Sequence, residues 1–169
     1  DWTEVLADLR TVADDVRANG ADVIAKEHVD PLIRKVDAFG FTLAVLDMRD
    51  NREMHTDAIA ETVDDEGIDY AAMDEDERVE FLTEAILQEG QIIDMEATEG
   101  LTDDSARVIR RFRKLADWQR EYGVDAIDTY AISWCEEASH VLEVLFLGDQ
   151  AGIVDLPGYC GLDVVPLLE

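Results

Sequence analysis

Residues 41–48, FTLAVLDM, carry apolar side chains on both alternating faces. Successive side chains of an extended chain point to opposite sides, so a strand of this composition needs cover on both. That favours a parallel sheet flanked by helices over a hairpin with one wet face. Two further strands are expected at residues 127–134, IDTYAISW, and 162–168, LDVVPLL. Helical patterns fill the remainder. From Trp2, the positions Val5, Leu6, Leu9, Val12 and Val16 follow helical spacing and Gly20 ends the run. A second helical stretch reaches about Phe39, with Pro31 near the start of its last segment. After the first strand, Met54, Ile59 and Val63 mark a helix ending before Gly67. Asp74 caps the next, which carries Val79, Leu82 and Ile86, and Gly90 lies just beyond it. Thr102 opens a long basic helix with Ile109, Phe112 and Leu115 on its buried face, and SHVLEVLFLGDQAG forms the last one.

Strands alternating with helices predict an α/β fold with a parallel sheet. The 169 residues suit one folding unit, with a helical lead-in over 1–38 and strand-helix units over 39–169. In parallel sheets the functional groups gather at the C-terminal strand ends. Two charged residues take that place here, Arg49 after LAVLDM and Glu169 after DVVPLL.

Their setting is strongly acidic, with 41 Asp and Glu against 14 Lys and Arg and a net charge of −27. Such a surface repels phosphate backbones and anionic membranes, which argues against nucleic-acid or membrane binding. The acids are spread along the chain, as expected of a halophilic source where salt screens their repulsion. Cys135 and Cys160 are too few for a disulfide framework and lack metal-pair spacing, which fits a reducing, cytoplasmic compartment. No apolar run approaches the roughly 20 residues that span a bilayer. The chain opens without Met and closes in mid-pattern at VVPLLE, the expected look of a piece of something longer.

Arg49 is a permanently charged guanidinium that can bind phosphate or carboxylate bidentately, or equally form a structural ion pair with Asp47 or Asp50. Glu169 suits a hard metal or a base, or simple solvation. His28, His55 and His140 share no metal-ligand spacing and read as surface or packing residues. Trp134 and Cys135 read as core, with pocket lining as the alternative. The run MDEDERVE lacks the glycine and terminal glutamate of a calcium loop and reads as an acid-rich helix start.

Three segments resemble motifs of the phosphoenolpyruvate carboxylase family. FGFTLAVLDMRDNREMH is similar to its FGF-x-L-x-x-LD-x-RQ-x-x-x-x-H, IDTYAISWCEEASHVLEVLFLGDQAGI to its YxISM-x-x-x-SDVLxVxLLxKEAG, and LDVVPLLE to its VxPLFET. Order and spacing agree over nearly the whole chain. The resemblance implies a helix-rich partial β/α (TIM-type) barrel, a fragment of a larger, mostly helical enzyme that is normally a homotetramer. It implies carboxylation of phosphoenolpyruvate by bicarbonate, with Mg²⁺ or Mn²⁺, to give oxaloacetate and phosphate. Arg49 corresponds to the arginine that contacts the substrate phosphate, and Glu169 to a glutamate ligand of the metal. The rival expectation is a non-catalytic acidic helical module that binds a partner protein.

Departures from the family pattern are Asp50 for glutamine, Trp134 for methionine, His140 for aspartate and Leu168 for phenylalanine. Asp50 sets a carboxylate beside the phosphate-binding arginine, a conflict unless it points away or Arg52 neutralises it. The family's TAHPTE histidine, SDSAKD aspartate and Gly-rich arginine loop are not in this sequence, so the isolated chain is expected to be inactive.

Overall fold

The structure is a computed structural model that describes residues 1–64, 66–88 and 90–168. Chain contacts divide the protein into two units, Asp1–Val45 and Leu46–Glu169.

The first unit is helical. α1 (Trp2–Ala18) begins at Asp1, which caps it reciprocally with Glu4. A short α2 (Asp22–Ile24) and a π-helical turn (Ala25–Val29) lead into α3 (Asp30–Phe39), with Pro31 in the first turn, where a missing N–H does no harm. Leu6, Ala13, Ala25 and Val36 form its small core. Ion pairs Arg10–Asp37 (3.1 Å) and Arg17–Asp30 (2.6 Å) tie α1 to α3.

The second unit is α/β. Its elements are β1 (Leu46–Asn51), α4 (Arg52–Asp64), a 3₁₀ turn (Tyr70–Ala72), α5 (Glu75–Leu87), α6 (Asp103–Tyr122), a 3₁₀ turn (Val124–Ala126), β2 (Ile127–Ser133), α7 (Ala138–Gln150), β3 (Val154–Asp155), β4 (Tyr159–Cys160) and β5 (Asp163–Pro166). β1, β2 and β5 form a parallel sheet with β2 in the centre, and β3 pairs with β4 as a separate antiparallel hairpin. The sheet is open, with β1 and β5 as its edges. Apolar faces of α4, α5, α6 and α7 pack with Tyr130 and Ile132 of β2 into one core that includes Ile59, Leu82, Ile109, Phe112, Leu115, Val144 and Leu147. On the other face of the sheet, Asp47, Arg49, Asp163 and Val165 are exposed.

The helices lie where the spacing places them, and Asp74 and Thr102 cap α5 and α6 through their side chains. The first strand differs. It covers residues 46–51 instead of 41–48, and Phe41, Leu43, Val45 and Leu46 are 67%, 81%, 58% and 62% exposed, so the two-sided burial expected of FTLAVLDM is not found. Pairing explains the shift: β2 supplies a hydrogen-bonding neighbour only from Leu46 onward, with a register shift between Leu46 and Asp47. The hairpin at 154–160 was not expected. Its strands are two residues each, too short for any periodicity, although Pro157 and Gly158 mark the turn.

Candidate functional site

Arg49 lies inside β1 rather than after it, opposite Ala131, with Asn51 opposite Ser133. Alternation puts Arg49, Asn51, Ala131 and Ser133 on one face and Asp50, Tyr130 and Ile132 on the helix-covered one. On the open face Arg49 Nε donates to Ser133 Oγ at 2.8 Å, which orients the guanidinium toward the C-terminal end of β2.

Asp50 lies across the sheet from that group. Its carboxylate forms an ion pair with Arg111 of α6, the two side chains being 14% and 22% exposed. Burial pushes the pKa of the nearby Tyr130 hydroxyl up to about 12, against the opposing charge of Arg111. Tyr130 in turn meets His55 Nε2 at 2.9 Å. His55 is fully buried, and burial, with His140 nearby, holds its pKa down to about 3. The conflict between Asp50 and Arg49 is thus resolved by opposite faces, and Arg111 rather than Arg52 does the neutralising.

The starts of α4 and α7 meet beside this end of the sheet. Asn51 Oδ1 accepts from the Glu53 N–H and caps α4. Arg52, first in α4, pairs with Glu136 at 2.8 Å. His140 Nδ1 accepts from the N–H groups of Glu136 and Glu137, each at 3.2 Å. Its Nε2 lies 3.4 Å from Arg52 Nη1, and burial, with Arg52 alongside, lowers the pKa of His140. Glu75 of α5 accepts from Ser139 N–H at 2.9 Å and Ser139 Oγ–H at 2.6 Å, satisfying donors at the start of α7.

Between these residues the chain turns sharply. Trp134 has φ of +60°, a left-handed conformation that few residues without glycine's freedom adopt. It is 53% exposed, so it is not the core residue expected, whereas Cys135 is buried as expected. Cys135 N–H donates to Leu167 O at 3.1 Å and Leu167 N–H to Ile132 O at 2.9 Å, which brings the chain leaving β5 against the end of β2.

One buried carboxylate lies below. Glu143 of α7 is fully buried, accepts from Thr56 Oγ1 at 2.9 and 3.0 Å and from Tyr70 OH at 2.9 Å, and is pushed by burial up to about 7. The sequence carries one sign of it, a glutamate inside the apolar run VLEVLFL. Arg111 and Ser133 had no such sign, because each acts on a residue distant in the chain.

Of the two expected site residues, Arg49 stands within the C-terminal half of β1, two residues before its end, and Glu169 falls outside the described residues. Among the described residues no three His, Cys, Asp or Glu side chains converge to hold a metal ion. Also among them, no helix is long and apolar enough to cross a membrane.

The family model of phosphoenolpyruvate carboxylase matches residues 1–169. The chain belongs to the phosphoenolpyruvate carboxylase family. A phosphoenolpyruvate carboxylase of Mycolicibacterium paratuberculosis is 37% identical over 172 residues, covering 98% of this chain and 18% of the relative. That of Xanthomonas oryzae pv. oryzae is 34% identical over 168 residues, covering 99% and 18%. That of Thermosynechococcus vestitus is 33% identical over 168 residues, covering 98% and 16%. The chain thus spans under a fifth of the length of these carboxylases.

Proposed function

We propose that this chain is a segment of a phosphoenolpyruvate carboxylase that converts phosphoenolpyruvate and bicarbonate to oxaloacetate and phosphate. Arg49 binds the substrate phosphate. The observation that carries this reading is the setting of Arg49: on the open sheet face, oriented by Ser133, with the adjacent carboxylate drawn to the opposite face. The family match over the full chain favours it above an acidic module that only binds a partner.

In the reaction a bicarbonate oxygen attacks the phosphoryl phosphorus, the bridging P–O bond breaks, and carboxyphosphate and the enolate of pyruvate result. Carboxyphosphate gives up CO₂ and phosphate, and the enolate carbon captures the CO₂. Arg49 offsets charge on the transferring phosphoryl group as a preorganised donor that needs no proton transfer. Its charge is constant at any working pH. The carboxylate of Glu169 has the hard oxygen donors that suit Mg²⁺ or Mn²⁺, and the bound ion would supply Lewis acidity toward the enolate oxygen. The open three-stranded sheet is part of a β/α barrel completed by the remaining length of the enzyme, a cytoplasmic homotetramer from a halophilic source.

The test uses the full-length protein. Bicarbonate-dependent oxaloacetate formation should require a divalent metal and high salt. Arg49→Ala should lower kcat/KM for phosphoenolpyruvate by about 30- to 1,000-fold, the loss expected for one preorganised donor worth about 2–4 kcal/mol. An unchanged KM together with an unchanged kcat would remove Arg49 from the site.

A further inference from the structure

We propose that His140 is a positioning residue for Arg49: its ring holds the loop between β2 and α7, residues 134–137, in the shape that presents Ser133 to the Arg49 guanidinium, and does so only while it is neutral. The functional half of this inference rests on the role given to Arg49 above. The loop half stands on geometry alone.

The loop is held from three sides. Cys135 N–H donates to Leu167 O at 3.1 Å, and Arg52 at the start of α4 pairs with the Glu136 carboxylate at 2.8 Å. The third hold is the buried imidazole, whose Nδ1 accepts from the N–H groups of Glu136 and Glu137, each at 3.2 Å. Glu137 returns the contact, its side chain accepting from the His140 N–H as the N-cap of α7. Such holding is needed because Trp134, with φ of +60°, occupies a left-handed conformation that persists only where its surroundings impose it. Ser133 directly precedes Trp134, and its Oγ accepts from Arg49 Nε at 2.8 Å. A loop that relaxes at Trp134 turns the end of β2 and takes the Arg49 hydrogen bond with it. None of these contacts uses an edge of the sheet, so they stay in place when further strands close it.

Neutrality follows from the donors around the ring. Besides the two N–H groups at Nδ1, Arg52 Nη1 lies 3.4 Å from Nε2. A protonated imidazole donates from both nitrogens, so it would lose its acceptor and set two cations side by side. Glu75 of α5 and Glu136 and Glu137 of the loop favour the proton, while His55 of α4 lies within electrostatic reach. Burial and Arg52 outweigh the carboxylates, and the pKa of His140 is lowered from 6.5. The unfolded ring takes up its proton near 6.5 and the folded one only below it, so the hold is present at neutral pH and is lost as pH falls further.

The experiment uses the full-length protein and reads the loop and the substrate separately. Amide exchange followed by mass spectrometry reports protection of the Glu136 and Glu137 N–H groups, and steady-state kinetics reports phosphoenolpyruvate. At about pH 8, His140→Leu should lose about 5- to 30-fold in that protection, the loss of one cap, and raise KM about tenfold with kcat changed less. His140→Asn, whose amide oxygen accepts as Nδ1 does and does not titrate, should restore both to within about threefold. Between about pH 8 and about pH 5.5 the wild-type protein should lose protection and raise its KM relative to His140→Asn at the same pH, a ratio in which the titration of substrate and bicarbonate cancels. That comparison keeps the test decisive if His140→Leu does not fold. Unchanged protection in His140→Leu, or a ratio to His140→Asn that does not move with pH, overturns the proposal. Lost protection with an unchanged KM also overturns it when Arg49→Ala impairs kcat/KM in the same assay. If Arg49→Ala is itself silent, Arg49 leaves the site and the hold of His140 on the loop stands.

Discussion

Glu143→Gln should make this protein more stable, by an amount that grows as pH rises from 4.5 to about 7. Glu143 is fully buried, and burial raises its pKa from an ordinary 4.5 to about 7, even though Thr56 and Tyr70 donate to it and Arg78 lies near. As pH rises above 4.5 the unfolded chain releases this proton while the folded one keeps it. The unfolded state then binds fewer protons, so stability falls through that window until the folded group ionises near pH 7. A shift from 4.5 to about 7 corresponds to about 3 kcal/mol at 1.36 kcal/mol per pH unit. Glutamine imitates the protonated acid, and the hydroxyls of Thr56 and Tyr70 can rotate to meet its amide. The variant should match the parent at about pH 3.5 and exceed it by about 3 kcal/mol near pH 9, roughly 6–12 °C in Tm for a chain of this size. Urea or thermal unfolding followed by far-UV circular dichroism at fixed ionic strength measures both. Identical pH dependence in the two proteins would mean that Glu143 is already ionised and solvated when folded, refuting the reasoning.

Two further outcomes follow from packing and charge. A Cβ at Gly161 would lie 2.8 Å from each of Gln119 Oε1, Ile153 O and the Tyr159 hydroxyl, so Gly161→Ala should lower the urea-unfolding free energy by about 1–3 kcal/mol; an unchanged midpoint would show that the loop yields freely. With a net charge of −27, the chain should gain helical dichroism as salt rises toward about 1 M, where the Debye length is about 3 Å. A signal equally strong in dilute buffer would count against a halophilic origin.

Sequence alone reached the helices and the middle strand because their signals are local. α6 declares itself through a capping threonine, acids in its first turn and an apolar stripe at 109, 112 and 115, while β2 is marked by IDTYAIS between turn residues. FTLAVLDM was a good strand in composition, yet pairing with β2 decided which of its residues joined the sheet. The same division runs through the site. Arg49 was legible from its place at the end of an apolar run and from the motif around it. Its support was not: Ser133 lies 84 residues away in the chain, and Arg111 is farther from Asp50 in sequence than any helical or hairpin pairing reaches. Periodicity carries no information about which distant side chain will face a given one.

The start of α7 is capped from two places, by its own Glu137–His140 capping box and by another helix. The Ser139 N–H and hydroxyl donate to Glu75, 64 residues earlier in the chain, which lies in the first turn of α5 beside the Asp74–Glu77 capping box. Nucleation is the expensive step of helix formation, and here part of its relief comes from another helix. In the folded state, loosening the start of α5 therefore also strips two hydrogen bonds from the start of α7, just after the chain leaves β2.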